Sequence, residues 1–195
     1  MKGRIVAFAG KQFIREGIRT ITMDMIAKDM GISKRTLYQH FGCKEALLAA
    51  CTHRLFIHNN LLVVCNDNLL DELFKLQTGL CKIDTTGFSR FYRELRCHYK
   101  RVHEDLLAYM YLYAQACGAK TEKAIADGYV RKGIDARTIF ILVSACVMQL
   151  FNHTDINNQE QNEQLLSTFI SLAIRGLCTS EGQAYLDQKK MIQHG

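Results

Sequence analysis

Proline is absent from this chain of 195 residues, and few stretches alternate apolar and polar residues as strands do. No Asn-Gly pair marks a tight hairpin either. Because these signals accompany sheets and their turns, their absence favours an all-α protein. The hydrophobic share of 48% provides a core for a small N-terminal domain and one further helical domain.

Long hydrophobic runs are also missing. The longest, residues 139–151, is too short to span a bilayer and contains Ser144 and Gln149. The basic start, residues 1–13, has only a short apolar stretch and continues directly into a helical pattern, unlike a signal peptide. We therefore expect a soluble, cytoplasmic protein.

Motifs of metal, redox and enzyme sites are absent as well. The closest of the eight cysteines, Cys43 and Cys51, lie eight positions apart, which excludes a C-x2-4-C pair. Cys97, His98 and His103 do not share a helix face. With no nucleophile elbow, phosphate loop or paired carboxylates, we expect no metal, no cofactor and no enzyme. A thiol- or metal-responsive regulator stays open as the alternative to cysteines that only pack.

What is present is a pair of short helical patterns between residues 22 and 48, joined at Gly31. Thr22 is placed to cap the first helix and Ser33 the second. Gly31 can adopt the left-handed conformation that ends a helix. The first helix has one apolar face, formed by Met23, Ile26, Ala27 and Met30. This spacing is typical of a helix-turn-helix.

The second helix of the motif can be oriented from its apolar residues. Leu37 and Phe41 lie one turn apart and must face inward, so the outer face carries Arg35 and Gln39. Arginine can bind guanine and glutamine can bind adenine. The residues predicted to contact DNA are Thr22, Ser33, Lys34, Arg35, Thr36, Tyr38, Gln39, His40 and Lys44.

In these residues the chain resembles the TetR family of bacterial transcription regulators. The matching positions are Ile5, Ala9, Phe13, Gly17, Thr22, Ile26, Ala27, Gly31, Ile32, Ser33, Thr36, Leu37, Tyr38, Phe41, Lys44, Glu45, Leu47 and Leu48. Gln12, Arg35 and Cys43 depart from the usual pattern. The resemblance implies a three-helix DNA-binding domain, predicted at residues 1–48, and a helical ligand-binding and dimerisation domain at residues 49–195.

Positive charge is concentrated in the same region. Residues 1–50 hold nine Lys+Arg against four Asp+Glu, so they carry nearly all of the net charge of +6. A cationic surface supplies the sequence-independent part of DNA affinity. Lys2, Arg4, Lys11 and Lys44 are candidate phosphate contacts.

The rest of the chain is predicted to be a series of helices. Polar breaks are expected near residues 66–68, 84–87, 118–121 and 133–135. Residues 102–117 are apolar on more than one side and rich in Tyr and Met, which suits a ligand cavity as well as a packed core. The predicted effector-binding residues are His58, Phe91, His103, Tyr109, Met110 and Tyr113.

Two late segments indicate a dimer. Residues 139–151 are apolar nearly all round, and residues 165–177 have a broad apolar stripe, so a homodimer through residues 136–178 is predicted, as the resemblance also implies. Residues after about Cys178 are polar and receive no role.

The function predicted is a homodimeric repressor of transcription. It would bind double-stranded DNA at an inverted-repeat operator and be released by an unknown small-molecule effector. An activator on the same fold stays open. An enzyme would leave the basic N-terminus without a role, and an architectural or RNA-binding protein would not need the outward base-reading residues.

Overall fold

The computed structural model describes residues 1–58, 68–80, 84–135, 141, 144–145 and 159–194. The described residues form α-helices, with a single isolated antiparallel bridge between Val130 and Cys178. The helices are α1 (Lys2–Glu16), α2 (Met23–Asp29), α3 (Lys34–His40), α4 (Lys44–His58), α5 (Leu69–Leu80), α6 (Thr85–His98), α7 (Lys100–Ala126), α8 (Gln159–Leu177) and α9 (Ser180–His194). The all-α prediction is confirmed, with a helix-turn-helix at the N-terminus and a helical region after it.

The N-terminal region, residues 1–58, is built around α1. Three of its residues at helical spacing, Ile5, Ala9 and Phe13, are fully buried. They pack with α4, whose Cys51 thiol donates a hydrogen bond to the Val6 carbonyl oxygen at 3.4 Å. This packing fixes the direction in which α4 leaves the helix-turn-helix. The predicted domain boundary at residues 48 and 49 falls inside α4, so that division stays a prediction.

The C-terminal region, residues 68–194, buries one apolar face of α6. Phe91 and Leu95 are fully buried, and the Phe88 ring packs against Phe91 with 6.2 Å between centroids. Helix α7 is continuous from Lys100 to Ala126, so the break predicted at residues 118–121 is wrong. A glycine inside a helix costs only about 1 kcal/mol, which tertiary packing can offset. The next predicted break, at residues 133–135, is confirmed.

Helix α9 spans residues for which no role is predicted from the sequence. Its Tyr185 hydroxyl donates to Asp71 of α5 at 2.8 Å, and its Lys189 forms an ion pair with the same carboxylate at 2.7 Å. A Cβ on Gly182 would clash with the Tyr129 carbonyl oxygen, so only glycine permits this approach. The polar C-terminus is therefore docked through hydrogen bonds as well as through buried Leu186.

Part of the predicted dimer segment lies outside the described residues. Of residues 136–158, the structure describes only 141, 144 and 145, each of them helical. Residues 159–178 form α8 and the bridge that follows it. None of the helices in the described part of the chain has the length and apolar character of a membrane-spanning segment.

Candidate nucleic-acid interface and ligand cavity

The helix-turn-helix is capped as its sequence predicts. The Thr22 hydroxyl accepts a hydrogen bond from the Met25 amide at 3.2 Å, and the Ser33 hydroxyl accepts one from the Thr36 amide at 3.0 Å. Gly31 has a φ of +64°, in the left-handed region that favours glycine. Local interactions thus determine where α2 ends and α3 begins.

Helix α3 has the orientation that its apolar residues predict. Leu37 is fully buried and Phe41 nearly so. Five residues of the predicted DNA-contacting set are exposed on α3: Lys34, Arg35, Tyr38, Gln39 and His40. The Thr36 side chain is half-buried, and its hydroxyl lies 2.8 Å from the Ser33 hydroxyl. Helix α3 therefore presents donors, acceptors and positive charge on one open surface.

Lys34 is already paired within the motif. Its ammonium lies 2.5 Å from an Asp24 carboxylate oxygen on α2, and both side chains are mostly exposed. Such a surface pair contributes about 0–1 kcal/mol. A phosphate could therefore replace Asp24 at little cost.

Two of the candidate phosphate contacts differ in their surroundings. Lys2 is exposed, with its ammonium 5.5 Å from the centre of the Phe41 ring at the end of α3. Lys44 is half-buried, with its ammonium 6.0 Å from the centre of the Phe13 ring. Burial lowers the pKa of Lys44, and the charge of Glu94 partly opposes that shift. Lys44 thus also faces α6.

A cavity of about 330 Å³ lies beside α6 and α7. Its described walls are Tyr92, Leu107, Met110, Tyr111, Ile141, Ser144 and Ala145. Most of these residues are apolar, while the Tyr and Ser hydroxyls offer polar anchors. The volume lies within the range of roughly 300–1,000 Å³ that is typical of small-molecule sites.

The predicted effector residues occupy different surroundings. Met110 lines this cavity, and His103 approaches it through a hydrogen bond of 3.0 Å between its Nε2 and the Tyr92 hydroxyl. Phe91 packs in the core beside Phe88, and Tyr113 is buried. Tyr109 contacts the His53 ring of α4 instead, with 6.1 Å between ring centroids. The side chain of His58 lies outside the described residues.

Sequence reasoning missed Tyr92 as a cavity wall. Aromatic residues recur at helical spacing along α6, but periodicity alone does not distinguish a core residue from a cavity wall. For the same reason, the sequence places Tyr111 and Leu107 in the broadly apolar segment 102–117 without identifying them as cavity walls.

Sequence reasoning also missed a contact between α6 and the residues near the end of α1, which we call the joint. On α6, the Arg90 guanidinium donates to the Arg15 carbonyl oxygen at 3.0 Å, and a Glu94 carboxylate oxygen accepts from the Arg19 amide at 3.0 Å. Both partners are backbone groups near the end of α1. Because Arg90 and Glu94 bind backbone groups, no pattern of side chains in the sequence indicates this contact.

The described cysteine side chains show no redox pair. Cys51 and Cys178 are buried, whereas Cys43 and Cys97 are exposed. Burial raises the pKa of the Cys51 thiol to about 12, against a smaller effect of Arg54, so this thiol is protonated at neutral pH. Among the described residues, no group of three or more His, Cys, Asp or Glu side chains is placed to hold a metal ion.

Comparison with known proteins shows what the N-terminal region is similar to. The family model for bacterial regulatory proteins of the tetR family matches residues 5–51, which include the helix-turn-helix. An uncharacterized HTH-type transcriptional regulator of Bacillus subtilis (strain 168), YerO, is 34% identical over 83 residues, which are 40% of this chain and 29% of YerO. An HTH-type transcriptional regulator of Staphylococcus aureus (strain USA300) is 48% identical over 44 residues, covering 23% of this chain and 24% of that protein.

Similarity of fold extends over nearly the whole chain. The crystal structure of a TetR-family transcriptional regulator from Marinobacter aquaeolei VT8 superposes with a TM-score of 0.67 and 15% identity, covering 98% of this chain and 97% of that one. The alignments with the two curated relatives span less than a third of those proteins. Residues 5–51 therefore match the tetR family of bacterial regulatory proteins in sequence, and the fold of the chain resembles that of a TetR-family regulator.

Proposed function

We propose that this protein regulates transcription by binding double-stranded DNA through α3. The observation that carries the proposal is the exposed set on α3, in which Arg35 and Gln39 lie opposite buried Leu37. Arginine and glutamine can each make two hydrogen bonds to a base edge in the major groove. The capped turn between α2 and α3 holds that surface in a fixed orientation. The match of residues 5–51 to the tetR family model supports the same role.

The operator is proposed to be an inverted repeat that a homodimer binds. Leu165 and Leu172 lie two turns apart on α8 and are 50% and 66% exposed. Large apolar side chains at this spacing suit a helix that packs against its own copy across a two-fold axis. A two-fold dimer would place two α3 helices about one DNA turn, roughly 34 Å, apart.

The proposed effector site is the cavity beside α6 and α7. Its apolar walls suit a small organic molecule with one or two polar groups. Tyr92 in the wall and the joint residues Arg90 and Glu94 lie on the same helix, within five positions of one another. A ligand that moves α6 would therefore act on the end of α1.

Release from DNA would follow if the effector binds better to the state in which the two α3 helices no longer match the operator spacing. The effector can shift this equilibrium only by its difference in affinity for the two states. We therefore propose that the protein represses transcription in the bacterial cytoplasm when no effector is bound.

Selection from random duplex DNA tests the proposal. The full-length protein should enrich an inverted repeat whose half-sites are centred about ten base pairs, or a multiple of that, apart. A reporter placed downstream of the enriched sequence should be less active when the protein is present. Failure to enrich any sequence, in conditions where the protein is folded, would contradict the proposal.

A further inference from the structure

A second, smaller cavity lies between α4 and α7. It has a volume of about 210 Å³, and its described walls are Ala49, Thr52, His53, Val102, Asp105 and Leu106. It shares no described wall residue with the cavity beside α6 and α7. Helix α7 separates the two, because Val102 and Leu106 face one cavity while Leu107 and Met110 face the other.

Thr52 gives this cavity an unsatisfied polar group. Its side chain is only 3% exposed, yet its hydroxyl oxygen has no hydrogen-bond partner among the described residues. Buried polar groups in folded proteins nearly always have a partner. A threonine hydroxyl can donate and accept, so a guest with a polar hydrogen would satisfy it.

The mouth of the cavity carries negative charge and an aromatic wall. Asp105 is exposed at the rim, where its carboxylate favours a cation. The His53 ring packs edge-on against Tyr109 of α7, with 6.1 Å between centroids. Below this rim the walls are apolar, formed by Ala49, Val102 and Leu106.

We propose that this cavity is a binding site for a small amine with an apolar body. The ammonium would lie at Asp105 and within reach of the Thr52 hydroxyl, while the hydrocarbon part fills the apolar floor. A cavity of roughly 150 Å³ accommodates benzene, so this one suits a molecule of roughly ten non-hydrogen atoms. The proposal does not depend on the function proposed above.

A ligand at this position would join α4 to α7. Helix α4 begins at Lys44, directly after the helix-turn-helix, and Thr52 lies two turns further along it. The site therefore lies on the helix that connects the N-terminal region to the rest of the protein, at a point separate from the joint between α1 and α6.

Calorimetric titration of the full-length protein with phenethylamine tests the proposal. Phenethylamine should bind, whereas 3-phenylpropionate, which has an apolar body of similar size but the opposite charge, should not. Thr52→Val keeps the side-chain shape without the hydroxyl, and Asp105→Asn removes the charge at the rim. Each should weaken binding about fivefold or more, the loss expected for one hydrogen bond or ion pair in a partly enclosed site.

Glu104→Gln is the matched control, because Glu104 is an exposed acid next to Asp105 that does not line the cavity. It should leave the affinity for phenethylamine within a factor of two or so. Circular dichroism would establish that each variant is folded. Equal losses of affinity in the Glu104 and Asp105 variants would mean that the probe responds only to the overall negative charge of this surface. That result would overturn the proposal.

Amide chemical shifts of the wild-type protein locate the probe without any substitution. Phenethylamine should perturb the amides of Ala49, Thr52 and Asp105 most strongly. Shifts centred on Leu107 and Met110 would place the probe in the other cavity and overturn the proposal. So would the absence of binding up to millimolar probe, which would leave the cavity to water alone.

Discussion

The N-terminal and C-terminal regions are both helical, but the contacts that shape their functional surfaces differ in range. In the N-terminal region, Thr22, Gly31 and Ser33 each act on residues within a few positions of themselves. In the C-terminal region, contacts such as Tyr185 to Asp71 join residues 114 positions apart. The surface of α3 is thus determined by local sequence, whereas the shape of the cavities depends on how distant helices pack.

The largest effect is expected where the C-terminal region leaves apolar residues exposed. Leu172→Glu on α8 should dissociate the proposed dimer, because a carboxylate desolvated at an interface costs several kcal/mol. Leu112→Glu, at a residue 61% exposed on α7, is the matched control and should leave the dimer intact. Light scattering at micromolar concentration measures both. A wild-type protein that is monomeric in this range would contradict the dimer.

The next largest effect is expected from a substitution at the contact between α6 and α1. A Cβ on Gly87 of α6 would lie 2.8 Å from the Ile14 carbonyl oxygen of α1, whereas a Cβ on Gly118 of α7 meets nothing within 4 Å. Gly87→Val should therefore lower the free energy of unfolding by about 1–3 kcal/mol. Gly118→Ala should raise it by up to about 1 kcal/mol. Urea unfolding measures both, and a neutral Gly87→Val would show that α6 is not packed tightly on α1.

The caps in the N-terminal region should have smaller, local effects. Thr22→Ala and Ser33→Ala should each lower the free energy of unfolding by about 1 kcal/mol, because each removes the acceptor for an orphan helix amide. Thr20→Ala, at an exposed residue of the preceding turn, should change it by less than about 0.5 kcal/mol. Equal values for Thr20 and Thr22 in urea unfolding would mean that the cap does not stabilise α2.

The smallest effect concerns His103, which is hydrogen-bonded to Tyr92 in the wall of the larger cavity. Burial, with a further contribution from Arg96 and against Glu104, lowers the pKa of His103 below its ordinary value of 6.5. Below that pH the unfolded chain binds a proton more readily than the folded protein does, so acidification destabilises the fold. The melting temperature of the wild type should fall more than that of His103→Gln between about pH 7 and about pH 5. His98→Gln, at an exposed histidine, should behave like the wild type.

Residues of the N-terminal region could be predicted in detail for a physical reason. A cap, a left-handed glycine and an apolar stripe act within one or two turns, so the positions of Thr22, Gly31, Ser33 and Leu37 suffice to orient α3. The ion pair between Lys34 and Asp24 was not predicted, although it joins residues only ten positions apart. Its geometry depends on how α2 crosses α3.

In the C-terminal region the sequence identified helices but not their surroundings. Tyr109 and Met110 are neighbours in the chain and were grouped together, yet they face α4 and the larger cavity respectively. Helix α9 was missed because its attachment depends on Asp71 and on the close approach at Gly182. Such contacts join distant residues, which periodicity does not relate.

The central claim is that α3 reads bases while the surrounding positive charges bind phosphates. Fluorescence anisotropy with the selected operator and a scrambled duplex, at several salt concentrations, tests it most directly. Arg35→Ala or Gln39→Ala should reduce the preference for the operator by about 1–3 kcal/mol and leave binding to the scrambled duplex nearly unchanged. Lys2→Ala should weaken both duplexes alike and reduce the salt slope by about one. If Arg35→Ala and Gln39→Ala weakened both duplexes equally, α3 would not be the element that reads the sequence.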